Sequence, residues 1–260
     1  MREKLTINPY DYPDEFRYLF NGSSVYDSSC SKEATVIYID KDHGYFLKSA
    51  PKGSLCKEAE MTRFLSTKGM APEVISYFSD DKDWLLTLKA RGADCTEVKY
   101  LEDPVKLCDT IAMLLRELHS VDHSGCPIDD RLADYIETAE KNYRSGYFDK
   151  SLFPDNWGYS TPDEAWNVIQ NNKHLLKGDV LIHGDYCLPN IMLNDWKFSA
   201  FIDVGNGGIG DRHIDIFWGL WSLSHNLKTD KYSKRFIDAY GRSDVDIEML
   251  KVIAAFEVFG

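Results

Sequence analysis

The stretch IHGDYCLPNIMLNDWKFSAFIDVG, residues 182–205, carries more chemistry than any other part of this 260-residue chain. Two short β-type runs frame it, Val180-Leu-Ile-His183 and Phe198 to Val204. Three oxygen-bearing side chains sit within it at set intervals. Asp185 follows the first run, Asn190 comes five residues later, and Asp203 ends the second run just before Val204-Gly205. The pattern is H-x-D-x-x-x-x-N followed by D-x-G. One aspartate before a turn is most often a turn or cap residue. Three such groups tied to two strands need another reason. A carboxylate at Asp185 can hold a hydroxyl in line and accept its proton. A carboxylate at Asp203 and an amide oxygen at Asn190 are hard donors of the kind Mg2+ prefers. Gly205 lets the backbone turn sharply beside a ligand.

That spacing is shared with kinase catalytic loops and the metal-binding aspartate that follows them. It points to transfer of a nucleotide γ-phosphate to an alcohol. Lys48 extends the argument. Residues 35–49, TVIYIDKDHGYFLKS, read as a hairpin, with two β-rich runs around Asp42-His43-Gly44. Lys48 ends its second strand. Residues 54–68 read as a helix with Leu55, Glu58, Met61 and Leu65 on one face. Glu58 therefore lies on a buried stripe and needs a partner. Glu60 lies off that stripe. A strand lysine that holds phosphates and pairs with a helix glutamate satisfies both groups.

Working outward, Trp84 to Leu88 reads as a strand that ends at a break, Arg91-Gly92. Beyond it the pattern turns helical. Residues 105–121 place Leu107, Ile111, Leu114, Leu115 and Leu118 on one side. Further helices are expected at 162–172, 213–225, 231–240 and 245–258. The organisation expected is therefore α+β with two lobes: a β-rich nucleotide-binding lobe over 1–92, and a mainly helical catalytic and acceptor-binding lobe over 93–260. No repeat or low-complexity linker interrupts it.

Composition narrows the function classes. The 30 basic and 42 acidic residues give a formal charge of −12, which disfavours DNA, RNA and anionic lipid as partners and favours a cationic one. No window approaches the ~20 apolar residues of a membrane span, and the N-terminus lacks a signal-peptide core. Cysteines at 30, 56, 95, 108, 126 and 187 form no C-x-x-C and no zinc spacing. Reduced thiols and a cytoplasmic location are expected.

On these residues the chain resembles the aminoglycoside 3′-phosphotransferases, bacterial resistance enzymes with a protein-kinase-like fold. The resemblance rests on Cys30-Ser31-Lys-Glu-Ala34, Phe46-Leu-Lys48, Leu118-His-Ser-Val-Asp122 with Cys126-Pro127, His183 to Gly205, Asp211-Arg212 and Asp215-Ile216. It implies ATP or GTP as phosphate donor, Mg2+ as cofactor, and a polycationic aminosugar as acceptor. It implies Asp185 as catalytic base and Asn190 and Asp203 as metal ligands. Lys48, oriented by Glu58, would contact phosphates, with Ser31 in the loop over them. Phe46 falls where the family stacks a ring on the base, and Ala90 lies in the implied hinge against the purine edge. Asp215 would brace the catalytic loop, while His119 and His183 are structural. Asp155 and Glu257 match acidic acceptor-site positions.

The chain also departs from the family. It ends Phe256-Glu257-Val258-Phe259-Gly260 where an Asp-Glu-Phe-Phe type ending is usual. Leu188 and Gly158 stand where some members carry acids, and Asn206 stands where an arginine is common. Fewer acids allow a narrower drug range, or a kinase acting on another small hydroxylated metabolite. A nucleotide-binding pseudokinase is countered by the intact Lys48, Asp185, Asn190 and Asp203. A dinucleotide-binding oxidoreductase is the remaining alternative. Gly205-Asn-Gly207-Gly-Ile-Gly210 spells G-x-G-x-x-G, with Asp230 beyond it. That motif comes late, lacks a repeated βαβ frame, and leaves Lys48, Asp185 and Asn190 without a role.

Overall fold

The computed structural model describes residues 3–30, 33–149 and 159–260. It divides into two compact units, Met1–Gly92 with Ser199–Gly205, and Ala93–Phe198 with Asn206–Gly260. The chain thus returns once to the first unit, with the segment that carries Asp203.

In the first unit, β1 (Lys4–Leu5), α1 (Arg17–Phe20), β2 (Ser24–Asp27), β3 (Thr35–Asp40), β4 (Tyr45–Pro51), α2 (Cys56–Thr67), β5 (Val74–Ser79) and β6 (Lys82–Leu88) follow in order. The strands form one antiparallel sheet in the order β1-β2-β3-β4-β6-β5. The β3–β4 hairpin closes where the Gly44 amide donates to the Lys41 carbonyl at 2.8 Å, and Gly44 takes φ +83°. Strand alternation then sorts the side chains. Leu47 joins Val25, Ile37, Ile39, Trp84 and Leu86 in a core that also takes Phe16, Leu19 and Phe20. The other face carries Ala50 and Leu85, which pack with Leu55 and Ala59 at the start of α2. Lys48 shares that second face, because it pairs with Leu85 across β4 and β6. Each fully buried Leu or Ile in these cores contributes roughly 1.5–3 kcal/mol.

The second unit contains β7 (Ala93–Asp94), α3 (Val98–Leu101), α4 (Pro104–Leu118), α5 (Arg131–Ser145), α6 (Pro162–Asn172), β8 (Val180–Ile182), β9 (Ile191–Asn194), the start of β10 (Lys197–Phe201), β11 (Gly208–Gly210), α7 (Arg212–Leu227), α8 (Ser233–Tyr240) and α9 (Ile247–Glu257). Several helices start at side-chain caps. Asp103, Asp130, Thr161, Asp211 and Asp246 each accept an amide of the following turn. The apolar stripe read on α4 is buried throughout: Leu107, Ile111, Leu114, Leu115 and Leu118.

The glycine-rich run after Asp203 is not a dinucleotide fingerprint. Gly208–Gly210 form β11, which pairs antiparallel with β8, and every strand pair described is antiparallel. A doubly wound sheet needs parallel βαβ units. The glycines here serve packing: a Cβ on Gly208 would lie 2.8 Å from Ile128, and one on Gly210 would lie 2.6 Å from Ile182.

Candidate active site

The first unit assembles a lysine between two carboxylates. Lys48 Nζ lies 2.7 Å from Glu58 Oε2 and 2.7 Å from Asp203 Oδ1. Strand β4 aims the amine, the buried stripe of α2 aims Glu58, and the returning segment brings Asp203. Two acids share one base, so the cluster is net negative when all three groups are ionised. Burial alone would depress the Lys48 ammonium, but Glu58 and Asp203 outweigh it and hold its pKa above the usual value. Burial raises Glu58, Lys48 pulls it back in part, and Asp203 adds to the rise.

Asp203 is the open member, with a side chain 53% exposed against 11% for Glu58. It adopts φ +58°, a left-handed conformation that costs roughly 1–2 kcal/mol for a residue with a Cβ. Such strain is concentrated at functional positions. Gly205 is fitted to its place, since a Cβ there would lie 3.3 Å from Glu58 Cβ. Phe46 lies two residues before Lys48, half-buried, with its ring 5.3 Å from Tyr38. Ala90 is buried beyond the end of β6. Ser31 lies outside the described residues.

The second unit assembles the loop between β8 and β9. Asn190 Nδ2 donates to the Asp185 carboxylate at 2.9 Å and to its backbone carbonyl at 3.0 Å. The amide hydrogens are thus committed, which leaves the Asn190 oxygen as the coordinating end. Asp215, wholly buried on α7, accepts the amides of His183 and Gly184, both at 2.7 Å. His119 Nε2 meets the same carboxylate at 3.1 Å, while its Nδ1 meets the Tyr240 hydroxyl at 2.8 Å. His183 Nδ1 accepts the Asp185 amide at 3.3 Å. Both histidines are therefore engaged in shaping the loop. Tyr186 donates to the Ile111 carbonyl at 2.7 Å, and the Leu188 amide donates to Ser222 Oγ at 2.9 Å. Cys187 is not a nucleophile candidate, because burial and the neighbouring Asp185 push its thiol far up.

Glu257 ends α9 and is buried. The Tyr135 hydroxyl donates to its Oε1 at 2.7 Å. Burial lifts its pKa to about 7, although Tyr135, Trp218 and Arg131 oppose the rise; Asp185 adds to it. It is thus an enclosed carboxylate that titrates near neutrality. Asp155 lies outside the described residues.

The donor chemistry fits Mg2+. Among the described residues no three His, Cys, Asp or Glu side chains form a metal-holding group. Mg2+ seldom needs such a cage; one or two protein oxygens suffice when phosphate and water complete its shell. Asp203 offers an exposed carboxylate, and Asn190 an amide oxygen.

Sequence reasoning missed several supports. Gly184 takes φ +82°, and a Cβ on it would lie 1.9 Å from the Asn206 carbonyl oxygen. Its place in H-G-D was the available signal. Tyr240 and Tyr135, partners of His119 and Glu257, had none, since their contacts span 121 and 122 residues.

Comparisons with known proteins agree with this architecture. The profile of the "Phosphotransferase enzyme family" matches residues 31–252. A probable aminoglycoside 3′-phosphotransferase from Lactococcus lactis is 44% identical over 260 residues, covering 99% of this chain and 98% of that protein. An aminoglycoside 3′-phosphotransferase from Escherichia coli is 30% identical, covering 79% and 78%. Among solved structures, an aminoglycoside-3′-phosphotransferase of type VIII superposes with a TM-score of 0.76 at 25% identity, covering 96% of each chain. The fold is therefore the α+β, protein-kinase-like one, with a β-rich N-terminal part and a helical C-terminal part. On the extent of the family match and the identity to these relatives, this chain belongs to the phosphotransferase enzyme family.

Proposed function

We propose that this protein transfers the γ-phosphate of ATP or GTP to the 3′ hydroxyl of an aminoglycoside, and that it does so in the cytoplasm as a resistance enzyme. One observation carries the reading. Lys48 is gripped at 2.7 Å by both Glu58 and Asp203, across 10 and 155 positions of sequence. That is the arrangement nucleotide phosphates require. The acceptor class is the one acted on by the aminoglycoside 3′-phosphotransferases that are 44% and 30% identical to this chain.

In residues 1–92 with the returning segment, Lys48 neutralises phosphate charge, and Glu58 keeps its amine oriented. Phe46 meets the base, the backbone at Ala90 its edge, and Ser31 the phosphates. In residues 93–260, Asp185 orients the acceptor hydroxyl and takes its proton. The acceptor oxygen bonds to the γ-phosphorus as the bond to the leaving diphosphate breaks, and the proton passes from Asp185 to solvent. Asn190 fixes the Asp185 carboxylate, and Asp215 fixes the loop that carries both. Asp203 and Asn190 would each offer an oxygen ligand to Mg2+, and the ion would supply charge neutralisation on the phosphates. Asp155 and Glu257 are the acids that would attract the cationic acceptor, with the enclosed Glu257 contributing charge only as it ionises near neutrality. Catalysis then rests on positioning and electrostatics.

The test is a panel of aminoglycosides assayed for phosphate transfer with each nucleotide, with the product's phosphorylated position read by NMR. Transfer to the 3′ oxygen is expected. Phosphorylation of none of the drugs, with transfer to another small alcohol such as a choline- or homoserine-like compound, would overturn the acceptor assignment.

A further inference from the structure

Helix α2 carries Glu58 in its first turn, yet it begins without a cap of its own. Leu55, at the N-cap position with φ −104° and ψ 0°, supplies no side-chain acceptor. The first amides of a helix have no partner within it and must find one elsewhere. Here a residue of the neighbouring strand reaches in. Asp83 of β6 is fully buried. It accepts the Leu55 amide at 2.9 Å and the Ser79 hydroxyl at 2.7 Å. The Gly53 amide and the Tyr77 hydroxyl add to these donors. Burial would raise this carboxylate, but the converging donors win and hold its pKa below the usual value. An anion at this end of the helix also suits the helix dipole.

The placement matters for the lysine cluster. Asp83 pairs with Ala50 across the sheet, and Leu85 pairs with Lys48. The tether of α2 and the lysine it must meet therefore stand on one pair of strands, two residues apart. Ala59 and Leu65 pack the body of the helix, and Asp83 holds its entry. Leu55 and Glu58 are only three residues apart, so a slip at that entry moves the Glu58 carboxylate relative to the amine.

We propose that Asp83 is a positioning residue, which sets the start of α2 and through it the contact of Glu58 with Lys48. The proposal rests on the reading of Lys48 and Glu58 given above. No atom of Asp83 need touch the nucleotide.

The test uses the full-length protein with Asp83→Ala and Asp83→Asn. Ile39→Val, in the core on the opposite face of the sheet, is the control for simple destabilisation. Asp83→Ala is expected to lower kcat/KM for the nucleotide about fivefold or more, the equilibrium factor one lost helix cap carries, with KM for the acceptor unchanged. Amide exchange in the first turn of α2 should quicken, while that of β4 and β6 stays as it was. Asp83→Asn keeps one acceptor oxygen and should recover most of the loss. Should Asp83→Ala fail to fold, Asp83→Asn against Ile39→Val supplies the same comparison, with a smaller fall expected. If Asp83→Ala loses no more nucleotide kcat/KM than Ile39→Val, or the first turn of α2 exchanges in the Asp83 variants as in the wild type, the proposal is wrong. A wild type that transfers no phosphate would instead overturn the reading of Lys48 and Glu58, and the exchange data would still judge the tether.

Discussion

Glu257→Gln gives a stability difference that depends on pH, with a size set by the structure. In the unfolded chain Glu257 ionises near its ordinary value of 4.5; in the fold, burial lifts it to about 7. Below pH 4.5 both states hold the proton and the residue is neutral in its effect. Between the two values the unfolded chain has released the proton while the native state keeps it. The unfolded state then binds fewer protons, so stability falls as pH rises. The fall levels off above pH 7, where both forms are ionised. At about 1.4 kcal/mol per pH unit, the ceiling is about 3 kcal/mol. Glutamine keeps an acceptor for the Tyr135 hydroxyl and cannot ionise. The variant should therefore match the wild type near pH 4.5 and gain on it through pH 7. For a protein of this size that is several degrees of melting temperature. Paired thermal or urea unfolding curves at pH steps from 4.5 to 8 measure it, and all other titrations cancel in the difference. Curves that run parallel over the whole range would refute the reasoning.

Other outcomes follow from the same geometry. Gly184→Ala should abolish activity and strongly lower the melting temperature, because its Cβ would meet the Asn206 carbonyl oxygen at 1.9 Å. Gly22→Ala, with φ +72° and nothing within 4 Å, should cost only the roughly 1–2 kcal/mol of a left-handed residue. Asp203→Ala should remove Mg2+-dependent turnover, and a variant active with Mg2+ would mean that the metal ligands lie elsewhere. Binding of a kanamycin-type drug should weaken as salt rises, since carboxylates would supply the attraction; titration calorimetry at two ionic strengths measures it.

Parts of the molecule that write their structure locally were legible in the sequence. The hairpin over 35–49 is closed by a turn that glycine permits, and α2 shows its buried stripe in four residues. Asp185, Asn190 and Asp203 were singled out by spacing alone. What escaped was written in partners. Helix α5 is the exception: Leu132, Tyr135, Ile136 and Ala139 fall at helical intervals, so its period was there to read. Strand β11 is Gly-Ile-Gly and exists because β8 offers backbone to pair with. In β5 the register slips between Val74 and Ser76, which breaks the alternation that marks a strand. The Glu58 pairing could be inferred because a buried carboxylate demands a cation. The positive φ of Asp203 and the reach of Asp83 into α2 depend on backbone geometry that no spacing encodes.

The most direct measurement on the central claim is phosphate transfer by Asp185→Asn, compared with its affinity for nucleotide. If Asp185 takes the acceptor proton, turnover falls by roughly 10²–10⁴, the range general-base catalysis supplies, while nucleotide Kd stays at the wild-type value. Turnover near the wild-type rate with nucleotide still bound would contradict the account.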